Sequence, residues 1–131
     1  MSERKVILVV EDQADIRTLI RMTLELGDSE IHEADNGEAG WHMIKALRPD
    51  LVLLDVMMPG SLDGYQVCQK VKTEASLRHI PVILLTARGQ RSDFEMGREA
   101  GADAYLTKPF SPLELIDTVD SHLAKSQANV A

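Results

Sequence analysis

Five short aliphatic or β-branched runs recur along the chain, each followed by a longer stretch with apolar residues at helical spacing. The runs read as strands cover residues 6–10, 30–34, 51–54, 82–85 and 104–106. Three of them are continuous apolar runs of the kind buried on both faces, whereas 30–34 alternates like an edge strand. Between the strands, Ile16, Leu19, Ile20, Thr23 and Leu24 share one helical face. Ala39, Met43, Ala46 and Leu47 share another, after an Asn36-Gly37 turn. Stretches 64–72, 90–100 and 111–124 complete the alternation, the last opening with Ser111 as N-cap, Pro112 in the first turn and Glu114 at N3. A strand–helix rhythm repeated five times with no linker predicts an α/β domain, (βα)5 in order, with a parallel sheet flanked by helices.

The length of 131 residues fits one domain, and 44% apolar residues suffice for a core without covalent staples. Cys68 is the only cysteine and is flanked by Val67 and Val71, so it reads as a small core residue in a reducing, cytoplasmic setting. The opening "MSERKVILVVED" meets acid after five apolar residues, too short a run for a signal segment or a membrane span. A net charge of -7 with no basic stripe argues against direct nucleic-acid binding.

Polar residues then mark the strand ends. Glu11 and Asp12 follow the first strand, Asp55 ends the third, Thr86 the fourth, and Thr107-Lys108-Pro109 the fifth. Open α/β sheets bind ligands at the carboxyl ends of their strands. Any one of these residues alone reads as a solvated strand end or a helix cap; their joint placement is the signal. Two carboxylates about 5 Å apart repel by roughly 3 kcal/mol at an effective dielectric of about 20, so three close together call for a counter-cation. A sparse all-oxygen ligand set suits Mg²⁺, and Lys108 adds a fixed positive charge opposite. His32, His42, His79 and His122 are scattered over different elements and read as surface or packing residues.

The strings "VVEDQ", "LLDVMMPG", "LLTA" and "YLTKPF", in this order and spacing, resemble the receiver domain of two-component response regulators over nearly the whole chain. The resemblance implies a flavodoxin-like, doubly wound sheet of strand order 2-1-3-4-5. It implies that Asp55 is the phosphoacceptor, taking a phosphoryl group from a histidine kinase, a phosphotransfer protein or a small donor. Mg²⁺ would be held by Glu11, Asp12, Asp55 and the main-chain carbonyl of Met57, with Asp12 the direct ligand and Glu11 reaching the ion directly or through water. Lys108 would balance charge on the phosphoryl group, next to a cis bond to Pro109. Thr86 and Tyr105 would form a switch that alters the surface of the fourth helix, fifth strand and fifth helix toward a downstream protein effector or into a phosphorylation-dependent dimer. Ala87 would leave the phosphate accessible, and Met57 and Arg88 hold the variable positions that tune hydrolysis.

One departure stands out: "MMPGSLDG" carries one more residue between Pro59 and Asp63-Gly64 than the family pattern. The expected organisation is a receiver over 1–125, a polar tail over 126–131 and no output domain, either as a stand-alone adaptor or as a fragment of a larger regulator or hybrid kinase. An aspartyl-phosphate phosphatase, a different class, needs a second Asp two residues beyond Asp55, where Met57 stands. The expectation is therefore a phosphoacceptor with self-catalysed transfer and autodephosphorylation, not a turnover enzyme. A receiver-like binder without phosphorylation would have lost one of Asp12, Asp55 or Lys108, and all three are present.

Overall fold

The computed structural model describes residues 4–58, 60–86 and 91–128. Strands β1 (Lys5–Val10), β2 (Ser29–Ala34), β3 (Leu51–Asp55), β4 (Val82–Thr86) and β5 (Ala104–Thr107) alternate with helices α1 (Ala14–Leu24), α2 (Gly37–Leu47), α3 (Gly64–Thr73), α4 (Arg91–Ala100) and α5 (Pro112–Ala128). Every strand pair is parallel and the order is β2-β1-β3-β4-β5, the flavodoxin-like order expected. The chain winds to one side of β1 and then to the other, so a crevice lies at the carboxyl ends of β1 and β3.

The continuous apolar runs conceal a period of two. Ile7, Val9, Leu51, Leu53, Ile83 and Leu85 face α1 and α5, where they meet Ile20, Leu24, Leu115 and Val119. Their neighbours Leu8, Val10, Val52, Leu54, Val82 and Leu84 face the other layer and meet Ile44, Val67, Cys68, Val71 and Ala100. Full burial of each such side chain contributes about 1.5–3 kcal/mol, which is why the central strands need no polar face. In β2 only Ala34 is buried, as its edge position requires. Cys68 is buried in the core, its Sγ 3.5 Å from the Ala100 carbonyl, and burial pushes its thiol up to about 12.

Three details differ from the expected pattern. The inward face of α2 runs through Gly37, Gly40 and Ile44; Ala46 and Leu47 are exposed. The cause is Gly40: a Cβ there would sit 2.9 Å from both Val10 methyl groups, so the helix turns its bare backbone to β1. Leu19 of α1 is half exposed because Ile20 and Leu24 take the inward face, leaving it beside Ile16, Pro109 and Phe110. Helix α5 continues through Ala128, past the end of the apolar spacing, since Lys125, Gln127 and Ala128 are good helix formers and no Gly or Pro intervenes. Its start is as expected, with Glu114 N donating to Ser111 Oγ at 3.1 Å and Ser111 N to Glu114 Oε1 at 3.4 Å.

The amino ends of the strands are clamped. Val6 N donates to Asp50 Oδ2 at 2.8 Å and Val82 N to Asp103 Oδ2 at 2.7 Å. Lys72 Nζ lies 2.7 Å from Asp103 Oδ2 and donates to the Ile80 and Arg78 carbonyls at 2.7 and 3.1 Å.

Candidate functional site

Parallel pairing carries the strand ends to one edge. Val10 pairs with Leu54, which sets Glu11 level with Asp55, while Asp55 pairs with Leu85 and Thr86 with Thr107. Glu11, Asp12 and Asp55 each bring one carboxylate oxygen to within 4.8 Å of the others. Glu11 is fully buried, Asp55 is 3% exposed and Asp12 is half-buried. Lys108 Nζ stands 2.7 Å from Glu11 Oε1 and 3.3 Å from Asp55 Oδ1. The approach to Oε1 is an ion pair outside hydrogen-bond geometry, so that oxygen accepts no hydrogen bond among the described residues. Gln13 N donates to Glu11 Oε2 at 3.1 Å, and Met57 N to Asp55 Oδ1 at 3.3 Å. The Lys108–Pro109 bond is cis.

Electrostatics follow from this geometry. Burial first, and then the charge of Glu11, push the Asp55 carboxyl from its ordinary 3.8 up to about 7, with Lys108 pulling in the opposite direction. Hydrogen bonds with Asp12 and Glu11 add to the rise. The cluster thus holds more negative charge than Lys108 alone offsets. Three hard carboxylate oxygens, facing one ammonium, fit a small divalent cation such as Mg²⁺ in both donor chemistry and charge.

Local sequence explains how Asp55 is presented. Asp63 caps α3 in a reciprocal box, its Oδ1 accepting from Gln66 N at 2.9 Å while Gln66 Oε1 accepts from Asp63 N at 2.8 Å. Gly64 then allows the helix to start against the Asp55 carbonyl, where a Cβ would collide. Glycine serves a similar purpose at Gly37, whose missing Cβ leaves room for the Leu62 carbonyl. The longer loop is thereby laid over the start of α2. Pro59, Ala87 and Arg88, on which expectations also fell, lie outside the described residues.

Met57 reaches Asp55 through its main-chain N–H, and its side chain is 71% exposed beside the cluster. Thr86 is fully buried, and its hydroxyl has no hydrogen-bond partner among the described residues. Tyr105 pairs with Leu84 and shares its face of the sheet, so it is the diagonal neighbour of Thr86. It packs at the margin of that core layer, where burial raises its hydroxyl pKa.

Sequence reasoning passed over Arg17, whose Nη1 donates to the Glu11 carbonyl at 2.8 Å and whose Nε donates to Glu33 Oε1 at 3.1 Å. Arg21 Nε lies 3.4 Å from the other Glu33 oxygen. The available signal was a pair of basic residues four apart on α1 together with an acid near the end of β2.

The description "Response regulator receiver domain" applies to the family whose profile matches residues 7–120. The phosphate regulon transcriptional regulatory protein PhoB of Pseudomonas aeruginosa is 40% identical over 122 residues, covering 93% of this chain and 53% of PhoB. The chain spans about half the length of the curated relatives it matches. Among solved structures, the receiver domain of a signal transduction histidine kinase from Syntrophus aciditrophicus superposes with a TM-score of 0.86 at 35% identity, covering 92% of this chain and 91% of that one. The chemotaxis protein CheY4 of Vibrio cholerae superposes with a TM-score of 0.85 at 26% identity, covering 91% and 98%. Five parallel strands in this order, an acidic cluster at their carboxyl ends and a match over nearly the whole chain lead to one conclusion: the protein belongs to the receiver domain family of two-component response regulators.

Proposed function

We propose that Asp55 is the phosphoacceptor of a Mg²⁺-dependent switch, charged by the phosphohistidine of a histidine kinase or phosphotransfer protein or by a small acyl phosphate. The observation that carries this reading is a nearly buried carboxylate at a strand end, within 4.8 Å of two others and 3.3 Å from the Lys108 ammonium. An Asp55 oxygen attacks phosphorus in line as the bond to the donor's imidazole nitrogen breaks, leaving an aspartyl phosphate. Bound Mg²⁺ supplies positive charge to the phosphoryl oxygens and shields the carboxylates from one another. Asp12, the most accessible of the three acids, would hold it directly, together with Asp55 and the Met57 carbonyl. Glu11, already held by Gln13 N and Lys108, contributes directly or through water. Lys108 faces the phosphoryl oxygens and offsets their charge.

The Thr86 hydroxyl, which has no hydrogen-bond partner among the described residues, finds an acceptor once a phosphoryl group stands on Asp55. Its movement changes the space next to Tyr105 on the same face, and the surface of α4, β5 and α5 alters its fit to a downstream protein or to a second copy. On this reading the domain works in the cytoplasm and turns over no substrate beyond its own phosphoryl group. Whether it stands alone or within a larger regulator does not alter the site. Among the described residues no helix is long and apolar enough to cross a membrane. The test is Asp55→Asn incubated with acetyl phosphate and Mg²⁺. Intact mass should show the phosphoryl adduct on wild type and none on the variant; an undiminished adduct on the variant sinks the assignment.

A further inference from the structure

We propose that Arg17 is a positioning residue for the acidic loop, holding the peptide plane that orients Asp12 toward Asp55. The proposal rests on the reading of the site as a Mg²⁺-dependent phosphoacceptor. The chain crosses from β1 to α1 through Glu11, Asp12 and Gln13 alone, and two of these are acids of the cluster. Glu11 N donates to the Ala34 carbonyl at 3.0 Å, and the Glu11 carbonyl accepts from Arg17 Nη1 at 2.8 Å. Both main-chain polar groups of Glu11 are therefore held. The Glu11 carbonyl, the Asp12 nitrogen and the Asp12 Cα belong to one planar peptide unit, so holding the carbonyl fixes where Asp12 stands and the N–Cα bond about which its side chain is set.

Arg17 suits this task because its planar fork serves two acceptors at once. Its Nε is anchored on Glu33 of β2 at 3.1 Å, and Glu33 is steadied by Arg21 one turn along α1 at 3.4 Å. With 21% of its side chain exposed, Arg17 is well enclosed for an arginine in α1. Among the described residues its guanidinium bonds to a carbonyl and to Glu33, not to the carboxylates of Glu11, Asp12 or Asp55. It therefore acts on the site through the backbone.

Charge and position make opposite predictions, which separates them. A fixed positive charge near a cation site repels the cation, so if Arg17 acted only by its charge, Arg17→Ala would tighten Mg²⁺ binding. As a positioning residue its loss should weaken binding by about tenfold, the low end of the range for groups that orient metal ligands. The experiment is a calorimetric Mg²⁺ titration of the full chain as wild type, Arg17→Ala and Arg17→Lys, with urea midpoints measured in EDTA. Arg17→Lys keeps the charge but offers one donor atom in place of the fork, so it too should bind Mg²⁺ more weakly. The Mg²⁺ concentration for half-maximal labelling by acetyl phosphate should rise by the same factor in each variant. A general loss of stability would lower the urea midpoint without shifting that concentration. If Arg17→Ala fails to fold, Arg17→Lys decides. Variants that bind Mg²⁺ as tightly as wild type, or more tightly, overturn the positioning role alone. A wild-type chain that neither binds Mg²⁺ nor takes label overturns the reading of the site and this proposal with it.

Discussion

Removing the charge of Asp55 should make the metal-free protein more stable above neutral pH and leave it little changed in acid. Burial and Glu11 raise this carboxyl from 3.8 to about 7, so the native state holds its proton more tightly than the unfolded chain does. Below pH about 4 both states are protonated and the full stabilisation is present. As pH climbs, the unfolded chain ionises first; stability falls until the native carboxyl has also ionised, near pH 7, and the loss is then complete. At 1.36 kcal/mol per tenfold change in proton affinity, the difference amounts to ~4 kcal/mol. Asp55→Asn, which resembles the protonated acid in shape and cannot ionise, should escape this loss. The assay is urea unfolding in EDTA at pH 4.5, 6, 7 and 8. With a slope of about 2 kcal/mol per molar urea, the variant's midpoint should exceed that of wild type by up to ~2 M at pH 8, with the gap closing in acid. Millimolar Mg²⁺ should then restore wild type and not the variant, by about 2.7 kcal/mol at a hundred times Kd. Midpoint curves that run parallel from pH 4.5 to 8 would refute the assigned repulsion.

Three further outcomes follow from the same geometry. Asp12→Asn should raise the metal-free urea midpoint yet weaken Mg²⁺ binding; an unchanged affinity by calorimetry removes Asp12 from the ligand set. Gly64→Ala drives a Cβ into the Asp55 carbonyl, so it should cost about 1–3 kcal/mol and slow labelling, and a wild-type midpoint would contradict the packing described. Tyr105→Ala should accept phosphate normally while losing most of a coupling on the ordinary scale of about 1–3 kcal/mol. Amide exchange with and without beryllofluoride reads that coupling: wild type should change over residues 91–100 and 104–124, and a wild type that changes only in the site loops would break the link.

How far the sequence could be read depends on which atoms do the work. The placement of Asp55, Thr86 and Lys108 at one edge was legible because a polar residue closing an apolar strand is conspicuous, and parallel register brings such ends together. Cys68 and the Ser111–Glu114 cap were legible for a similar reason, since side-chain type and spacing carry the signal. The face of α2 was misjudged because Gly40 contributes by having no side chain, and apolar spacing cannot register an absent group. Arg17 was missed because it bonds to a carbonyl, and main-chain acceptors have no letter in the sequence. The lengthened loop was visible as a count, but its seat on α2 depends on Gly37 meeting the Leu62 backbone, a contact between distant segments with no periodicity.

The clamps on the amino ends of the strands set the direction in which the molecule can breathe. Asp50 and Asp103 hold the Val6 and Val82 amides, and Lys72 ties Asp103 to the turn before β4. With β1 and β4 fastened at their amino ends and like charges crowded at the carboxyl ends, the carboxyl edge is the easier one to open. Slow exchange at Val6 and Val82 should therefore wait for global opening, while the opposite edge exchanges through local fluctuations. A tag or tether at the fastened end should therefore leave Mg²⁺ binding at the opposite edge unchanged, which a calorimetric titration of the tagged chain checks.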